Sequence, residues 1–222
     1  MHSNQNKPFE NREEAGSKLA KRLSKFAQTP NVIVLALPNG GVPVGAKIAS
    51  LLNLPFDILL LENITAPGYD DEPLGAVTAG GVRVLNSAMI DRLDLSQSEI
   101  NAAILRGCQK LARREKTCRG HAHPLEIADN TVFLVDDGTT PCAVIRDAIH
   151  LLRRQHADRI IVALPVACRH NACDLRFEAD EVVTLVEPPT PRPVDHWFKK
   201  QHQTTDAEVR HIVAGNRATV SA

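Results

Sequence analysis

Short apolar runs alternate with amphipathic stretches along most of the 222-residue chain. The runs have the length and the β-branched composition of strands that are buried on both faces. They begin near Val32, Phe56, Thr131, Ile160 and Val182. Between them, apolar residues recur every three or four positions, as in helices that bury one side. This alternation predicts an α/β fold with a mainly parallel sheet.

Local signals predict where helices and turns begin. Asn11 is a good N-cap for a first helix, and Ser96 with Glu99 forms a capping box before another. Thr140 is predicted as the N-cap of a later helix, with Pro141 at its first position. Further predictions are a helix over about 44–52, a strand over 56–61, a hairpin joining 74–78 to 82–85, and a short last helix over 206–213.

Composition narrows the function classes. Hydrophobic residues make up 43% of the chain, which is enough for a sizeable core. The formal net charge is zero, which argues against a nucleic-acid or membrane binder. Five cysteines without a Cys-x-x-Cys pair favour reduced thiols over disulfides or zinc, so no metal centre is predicted. Since no membrane-length apolar run and no signal peptide is found, we expect a soluble, cytoplasmic protein.

One predicted strand ends in two acidic residues. Asp136 and Asp137 follow this strand, and Gly138, Thr139 and Thr140 come next. Ligands of open parallel sheets bind just outside the carboxyl ends of strands, where these residues are expected to lie. The same pattern suits a simple turn whose exposed carboxylates cap the next helix. The residue pattern leaves both interpretations open.

Two further features suit an anionic ligand. A second strand-to-helix turn contains Asn39, Gly40 and Gly41, and its glycines allow backbone N–H groups to approach an anion. The helix after the capping box ends in a basic segment that includes Arg114, with Arg119 beyond it. These cations either complement the helix dipole or form a basic rim over an anion site.

Several short motifs occur together along the chain. They are Phe9-x-x-Arg12-x-x-Ala15-Gly16, Ala36-Leu37-Pro38-x-Gly40-Gly41-Val42-Pro43-Val44, Gly75-Ala76-Val77, Arg114, Arg119-Gly120, Val135-Asp136-Asp137-Gly138, Trp197 and Asp206-x-x-Val209. In these motifs, over about residues 9–213, the chain resembles the type I phosphoribosyltransferases. It is most similar to the bacterial branch known only as predicted phosphoribosyltransferases. The set is specific for the fold, whereas each motif alone is weak.

The resemblance implies an architecture and a reaction. The fold would be a five-stranded, mainly parallel sheet with helices on both faces and a small hood. The whole chain, 1–222, would form one domain, with a hood or flexible insertion over roughly 63–125 and a C-terminal extension over roughly 187–222. The family reaction displaces pyrophosphate from phosphoribosyl pyrophosphate (PRPP) by a base nitrogen, usually with Mg²⁺. The implied partner is a small phosphoribosyl or nucleotide ligand, and a homodimer is compatible with the family.

The resemblance also implies roles for individual residues. Asp136 and Asp137 would hold the ribose hydroxyls and serve as the catalytic pair. The residues around the 5′-phosphate would be Gly138, Thr139, Thr140, Pro141, Cys142, Ala143 and Val144. The pyrophosphate loop would run from Pro38 to Gly41 and include Asn39 and Gly40, with Arg114 and Arg119 as a basic rim. Trp197 would pack in the core or line the base.

The chain departs from the family pattern at the positions that bind phosphate. The usual Thr-Gly-x-Thr of the loop is replaced here by Pro141, Cys142, Ala143 and Val144. Pro141 removes a backbone donor, and Cys142 stands where glycine allows close approach. Asn39 replaces an arginine, and Glu62-Asn63 replaces Arg-Lys. These changes predict weak or lost transfer, with phosphate affinity lower by roughly 10³-fold if three bonds of ~1.5 kcal/mol each are gone.

Three functional hypotheses follow. The first is an active phosphoribosyltransferase with an altered loop. The second is a non-catalytic nucleotide-binding regulator or protein-interaction module on the same fold. The third is a thiol or metal enzyme that uses Cys142, because helix N-termini stabilise thiolates.

Overall fold

Eight strands form two sheets in the computed structural model, which describes residues 9–69, 72–120, 122–193, 196–200 and 202–220, the last four without their side chains. The strands are β1 (Val32–Ala36), β2 (Phe56–Ile58), β3 (Leu61–Ile64), β4 (Gly75–Thr78), β5 (Arg83–Leu85), β6 (Thr131–Val135), β7 (Arg159–Val166) and β8 (Glu181–Val186). The main sheet has the order β2-β1-β6-β7-β8, and all its neighbours are parallel. All five predicted strands lie in this one sheet, as expected.

Helices cover both faces of the main sheet. They are α1 (Arg12–Arg22), α2 (Gly41–Leu52), α3 (Ser87–Arg92), α4 (Gln97–Cys118), α5 (Cys142–Arg154), α6 (Arg169–Glu178) and α7 (Asp206–Val220). Alternate residues of β1 and β6 enter different cores. Val34 and Phe133 pack in the core shared with α1 and α2, whereas Ile33 and Leu134 pack in the core shared with α5 and α6. The strands are therefore continuous apolar runs because both their faces are buried.

The second sheet is antiparallel, with the order β3-β4-β5. The predicted hairpin over 74–78 and 82–85 is confirmed as β4 and β5. The predicted strand over 56–61 is wrong in its extent, since β2 ends at Ile58 and Leu61 begins β3 in the other sheet. The apolar run continues because Leu59 and Leu60 are both buried, each in a different core. The predicted division into one domain with an insertion and an extension stays a prediction.

The helix ends follow local chemistry at most positions. The Asn11 side chain accepts a hydrogen bond from the Glu14 N–H at 2.8 Å, and both bonds of the Ser96–Glu99 capping box are present. Helix α2 starts at Gly41, earlier than predicted, and α7 continues beyond Val213. Within the described residues, no helix is both long and apolar enough to cross a membrane, and all five cysteines are free thiols.

The carboxyl ends of β1 and β6 bring two turns into direct contact. The Leu37 N–H donates to the Val135 carbonyl at 2.8 Å. A Cβ on Gly41 would lie 2.7 Å from that carbonyl oxygen and 2.9 Å from the Asp136 Cα. Such a contact is far below van der Waals distance, so the close approach requires glycine. The Gly40-Gly41 turn therefore lies against the acidic pair, as the family resemblance implies.

Candidate functional site

The two acidic side chains at the end of β6 are buried. Asp136 and Asp137 are 2% and 1% exposed, so the expectation of exposed turn carboxylates is wrong. Asp136 accepts hydrogen bonds from the Gly138 N–H at 2.9 Å, the Thr140 N–H at 3.1 Å and the Thr140 hydroxyl at 2.7 Å. Buried carboxylates need such partners because their desolvation is costly. The loop that follows therefore wraps around the Asp136 carboxylate, to which its N–H and hydroxyl groups donate.

Asp137 is held from two sides. Its Oδ1 accepts from the Thr139 N–H at 3.0 Å and the Thr139 hydroxyl at 2.7 Å. Its Oδ2 lies 2.8 Å from both Nε and Nη2 of Arg12, whose side chain is only 12% exposed. Arg12 also donates to the His202 carbonyl at 2.8 Å and lies over the Phe198 ring. One guanidinium therefore connects α1, the acidic pair and the C-terminal segment.

The backbone donors of the loop after the acidic pair form hydrogen bonds within the protein. The N–H groups of Gly138, Thr139 and Thr140 all donate to Asp136 or Asp137. Pro141, not Thr140, is the N-cap of α5, which corrects the prediction by one residue. Thr140 cannot cap because its hydroxyl binds Asp136, and the Pro141 carbonyl accepts the first helical bonds. Only the first N–H groups of α5 remain as backbone donors.

The protonation of the acidic pair is perturbed. Burial, followed by repulsion from the Asp137 carboxylate, raises the pKa of Asp136 to about 6, although the Thr140 and Gly138 hydrogen bonds lower it. Hydrogen bonds to the charged form partly offset desolvation here. Asp136 therefore keeps its proton to a higher pH than an exposed aspartate does.

The glycine turn is fixed by the side chain of Asn39. Its amide nitrogen donates at 2.9 Å to both the Thr204 carbonyl and the Asp206 carboxylate, and its oxygen accepts from Arg114 at 3.0 Å. The Pro38–Asn39 peptide bond is cis. A Cβ on Gly40 would lie 2.0 Å from Asp137 Oδ2, so any side chain here would displace the Asp137 carboxylate from its partners. The structure thus brings Asn39, Gly40, Gly41 and Arg114 to the acidic edge.

Arg119 lies in a different environment. Its Nε is 3.3 Å from Asp57 Oδ1, its Nη1 is 3.0 Å from Glu115, and its Nη2 donates to the Ile58 carbonyl at 2.7 Å. The residue is 9% exposed. A guanidinium with these partners holds the end of α4 against β2, and the structure does not bring it to the acidic pair. Arg119 is therefore not part of the proposed site.

A cavity opens beside the loop, at the ends of β7 and β8. Its polar rim contains Thr140, Asn171 and Arg192, and Trp197 and Cys142 also line it. Trp197 is 5% exposed and packs with Phe9 and Phe198, so it contributes both to the core and to this wall. Burial raises the pKa of the Cys142 thiol. This direction opposes a thiolate nucleophile, and the thiol-enzyme hypothesis loses its chemical basis.

The acidic pair does not offer an open set of magnesium ligands. All four carboxylate oxygens of Asp136 and Asp137 accept hydrogen bonds from the loop or from Arg12. Across the described residues, no cluster of three or more His, Cys, Asp or Glu side chains could hold a metal ion. Mg²⁺ prefers six oxygen ligands in octahedral geometry, several of them water or substrate phosphate. In this arrangement the side chains present do not fit direct magnesium coordination.

The role of Arg12 was missed in the sequence. In the sequence, Arg12 is only one position of the Phe9-x-x-Arg12 motif, and the resemblance implies no function for it. The contact with Asp137 joins residues 125 positions apart, so no local pattern signals it. The same holds for Thr204 and Asp206, which reach the glycine turn from the C-terminal segment.

The fold and its acidic edge match known proteins. The family model for the phosphoribosyl transferase domain matches residues 5–198. Two Mycobacterium tuberculosis sequences, from strains CDC 1551 / Oshkosh and ATCC 25618 / H37Rv, carry the provisional name phosphoribosyl transferase and are 31% identical over 203 residues. These matches cover 91% of this chain and 46% of each relative, so the chain spans about half the length of those relatives. The crystal structure of TT1426 from Thermus thermophilus superimposes with a TM-score of 0.79 at 30% identity, over 94% of this chain and 99% of that one.

Proposed function

The chain belongs to the phosphoribosyl transferase domain family, and we propose that it binds a phosphoribosyl or nucleotide ligand but transfers the phosphoribosyl group poorly or not at all. The ligand would lie at the carboxyl edge of the main sheet, between the Asn39–Gly41 turn and the loop that follows Asp137. Both turns meet at this edge, where ligands of open α/β sheets bind.

The observation that carries the weak-transfer proposal is the internal bonding of the loop. A 5′-phosphate needs convergent N–H and O–H donors, and charge-assisted bonds of this kind contribute about 1.5–3 kcal/mol each. In this chain, Asp136 and Asp137 already accept the bonds from Gly138, Thr139 and Thr140. Pro141 has no N–H to add. A phosphate would have to displace the protein's own carboxylates from these donors.

The opposite turn also supports weak binding of pyrophosphate. Asn39 is neutral, and both hydrogens of its amide are engaged by Thr204 and Asp206. Glu62 stands where the family pattern has a cation, and its carboxylate lies 3.8 Å from the Lys110 ammonium. Arg114 reaches this turn, and it is already bonded to Asn39. The net attraction for a polyanion at this turn is therefore small.

A nucleotide-binding regulator on the same fold is the second candidate function. It is favoured by the completeness of the internal network, since Arg12 neutralises Asp137 and the loop is satisfied without a ligand. Because these bonds form within the protein, the shape of the loop does not depend on a ligand. A preformed loop suits a protein that recognises a ligand without reacting with it. Transfer chemistry has no need of this self-bonded state.

Calorimetric titration separates these possibilities. PRPP, ribose 5-phosphate, nucleoside monophosphates and free bases are each titrated with and without Mg²⁺, and pyrophosphate release is followed with a panel of bases. We expect weak PRPP binding and little pyrophosphate release. Tight PRPP binding with rapid turnover would contradict the proposal, and binding of nucleotides alone would favour the regulator. Light scattering on the same samples tests the homodimer that the family leads us to propose.

Restoring the family loop gives a sharper test. The triple variant Pro141→Thr, Cys142→Gly, Val144→Thr regains one N–H, two hydroxyls and the room of a glycine. We expect it to bind ribose 5-phosphate more tightly than the parent, by several kcal/mol at most. Circular dichroism checks that α5 survives the loss of proline. If the parent binds PRPP at micromolar level and the variant shows no gain, the loop is an adapted active site.

A further inference from the structure

A second polar cavity lies between the segment after β3 and the middle of α4. It encloses about 280 Å³. Its polar lining consists of Asn63, Thr65, Arg106 and Lys110, and its floor includes the small residues Ala66 and Ala103. The floor residues are 2% and 1% exposed, so the cavity is closed at its base.

Two cations on one helix face border this cavity. Arg106 and Lys110 are separated by four residues, which places their side chains side by side. No described residue forms a hydrogen bond or ion pair with the Arg106 side chain. Lys110 has a distant partner, Glu62, at 3.8 Å. Since neighbouring like charges repel, an anion between them would relieve the repulsion.

The helix is shaped to bring these cations over the cavity. Gly107 lies between them, and a Cβ there would be in ordinary van der Waals contact with Ile64 and Val77, both at 3.5 Å. Helix α4 therefore lies directly on β3 and β4. Asn63 and Thr65 complete the lining with an amide and a hydroxyl, neither bonded to a described side chain. Guanidinium, ammonium, amide and hydroxyl together form a donor set that suits a phosphoryl group.

We propose that this cavity is a second anion site that binds a phosphate or the phosphoryl group of a small metabolite. It is separate from the acidic edge, because Arg106 precedes Arg114 by eight residues on α4, a rise of about 12 Å. Arg114, and not Arg106, bonds to the Asn39 turn. Asn63 stands at a position where the family pattern has a cation, but none of the described lining residues is a hydrogen-bond partner of Asp137 or Asp136, so loss of binding at the acidic edge and loss of binding in this cavity can be told apart.

Titration with inorganic phosphate at constant ionic strength, balanced with chloride, tests the site. We expect saturable binding that Arg106→Gln weakens tenfold or more, because a charge-assisted bond is lost. Lys110→Gln should weaken it as well. Arg113→Gln is the matched control, because it removes one exposed charge from the same helix outside the cavity, and it should leave the affinity within twofold.

Three results would overturn the proposal. They are the absence of saturable binding, equal losses in Arg106→Gln and Arg113→Gln, and a loss in Thr140→Val without one in Arg106→Gln. The last result would place the phosphate at the loop beside Asp136. Ribose 5-phosphate as a second titrant distinguishes the source: dependence on Arg106 for both compounds indicates a general phosphoryl site, and dependence for phosphate alone indicates a site for the free ion.

Discussion

Replacing Arg12 with alanine should destabilise the protein far more than removing an ordinary surface cation. The change deletes the partner of Asp137, whose carboxylate is 0% exposed, along with the bond to the His202 carbonyl. Removing one partner of a buried ion pair costs about 3–5 kcal/mol. Because the Arg12 side chain is 12% exposed, water partly replaces it, and we expect a loss of about 3 kcal/mol. Arg12→Lys should recover part of this loss, because it restores a charge but not the paired donors.

Unfolding in guanidinium chloride measures this loss in the free energy of unfolding. Trp197 is the one tryptophan, lies against Phe198 and gives a fluorescence signal, while circular dichroism supplies a second probe of the same transition. Lys18→Ala is the matched control on α1, because its pair with Glu14 is 46% and 40% exposed and should be worth less than about 1 kcal/mol. Equal losses in Arg12→Ala and Lys18→Ala would refute the role of Arg12 as the buried counter-ion.

Three further results are expected. Asp136 binds its proton more tightly in the folded state, with a pKa of about 6 against the ordinary 3.8, so its contribution to stability is present below pH 4 and falls as pH rises to 6. The fall is about 3 kcal/mol, and unfolding of Asp136→Asn across this range should lack it. Gly41→Ala forces a Cβ to 2.7 Å from a backbone oxygen and should cost about 1–3 kcal/mol, whereas Gly215→Ala meets open space and should not destabilise α7. Iodoacetamide should modify exposed Cys173 faster than Cys142, whose thiol pKa is raised by burial, and mass spectrometry of timed samples would show the reverse order if Cys142 were an activated nucleophile.

The loop after Asp137 explains how one segment can match a family motif and still depart from its chemistry. Asp136, Asp137 and Gly138 keep the turn, because Gly138 has a positive φ of 93° and a Cβ there would lie 2.4 Å from the Val166 carbonyl. The carboxylates then satisfy the donors of the loop themselves. The turn therefore survives the loss of the phosphate-binding residues that follow it.

The sequence by itself determined the five strands of the main sheet apart from the end of β2, the starts of α1 and α4, and the neighbourhood of the two turns. These features depend on local causes: apolar runs, the Asn11 cap and the Ser96–Glu99 box act within a few residues. The family motifs placed Asp136 and Asp137 beside Gly40 and Gly41, since parallel strands bring their carboxyl ends to one edge.

Only the tertiary structure decided how these residues are used. The burial of Asp137 depends on Arg12 from the other end of the chain, and the Asn39 contacts depend on the C-terminal segment. Arg119 is paired with Asp57, a residue 62 positions away, and does not face the acidic pair. Cations, carboxylates and amides of the same types could equally have faced water or a ligand. Long-range packing decides whether they face water, a ligand or one another. Contacts between distant residues produce no periodic pattern in the sequence, so they cannot be predicted from it.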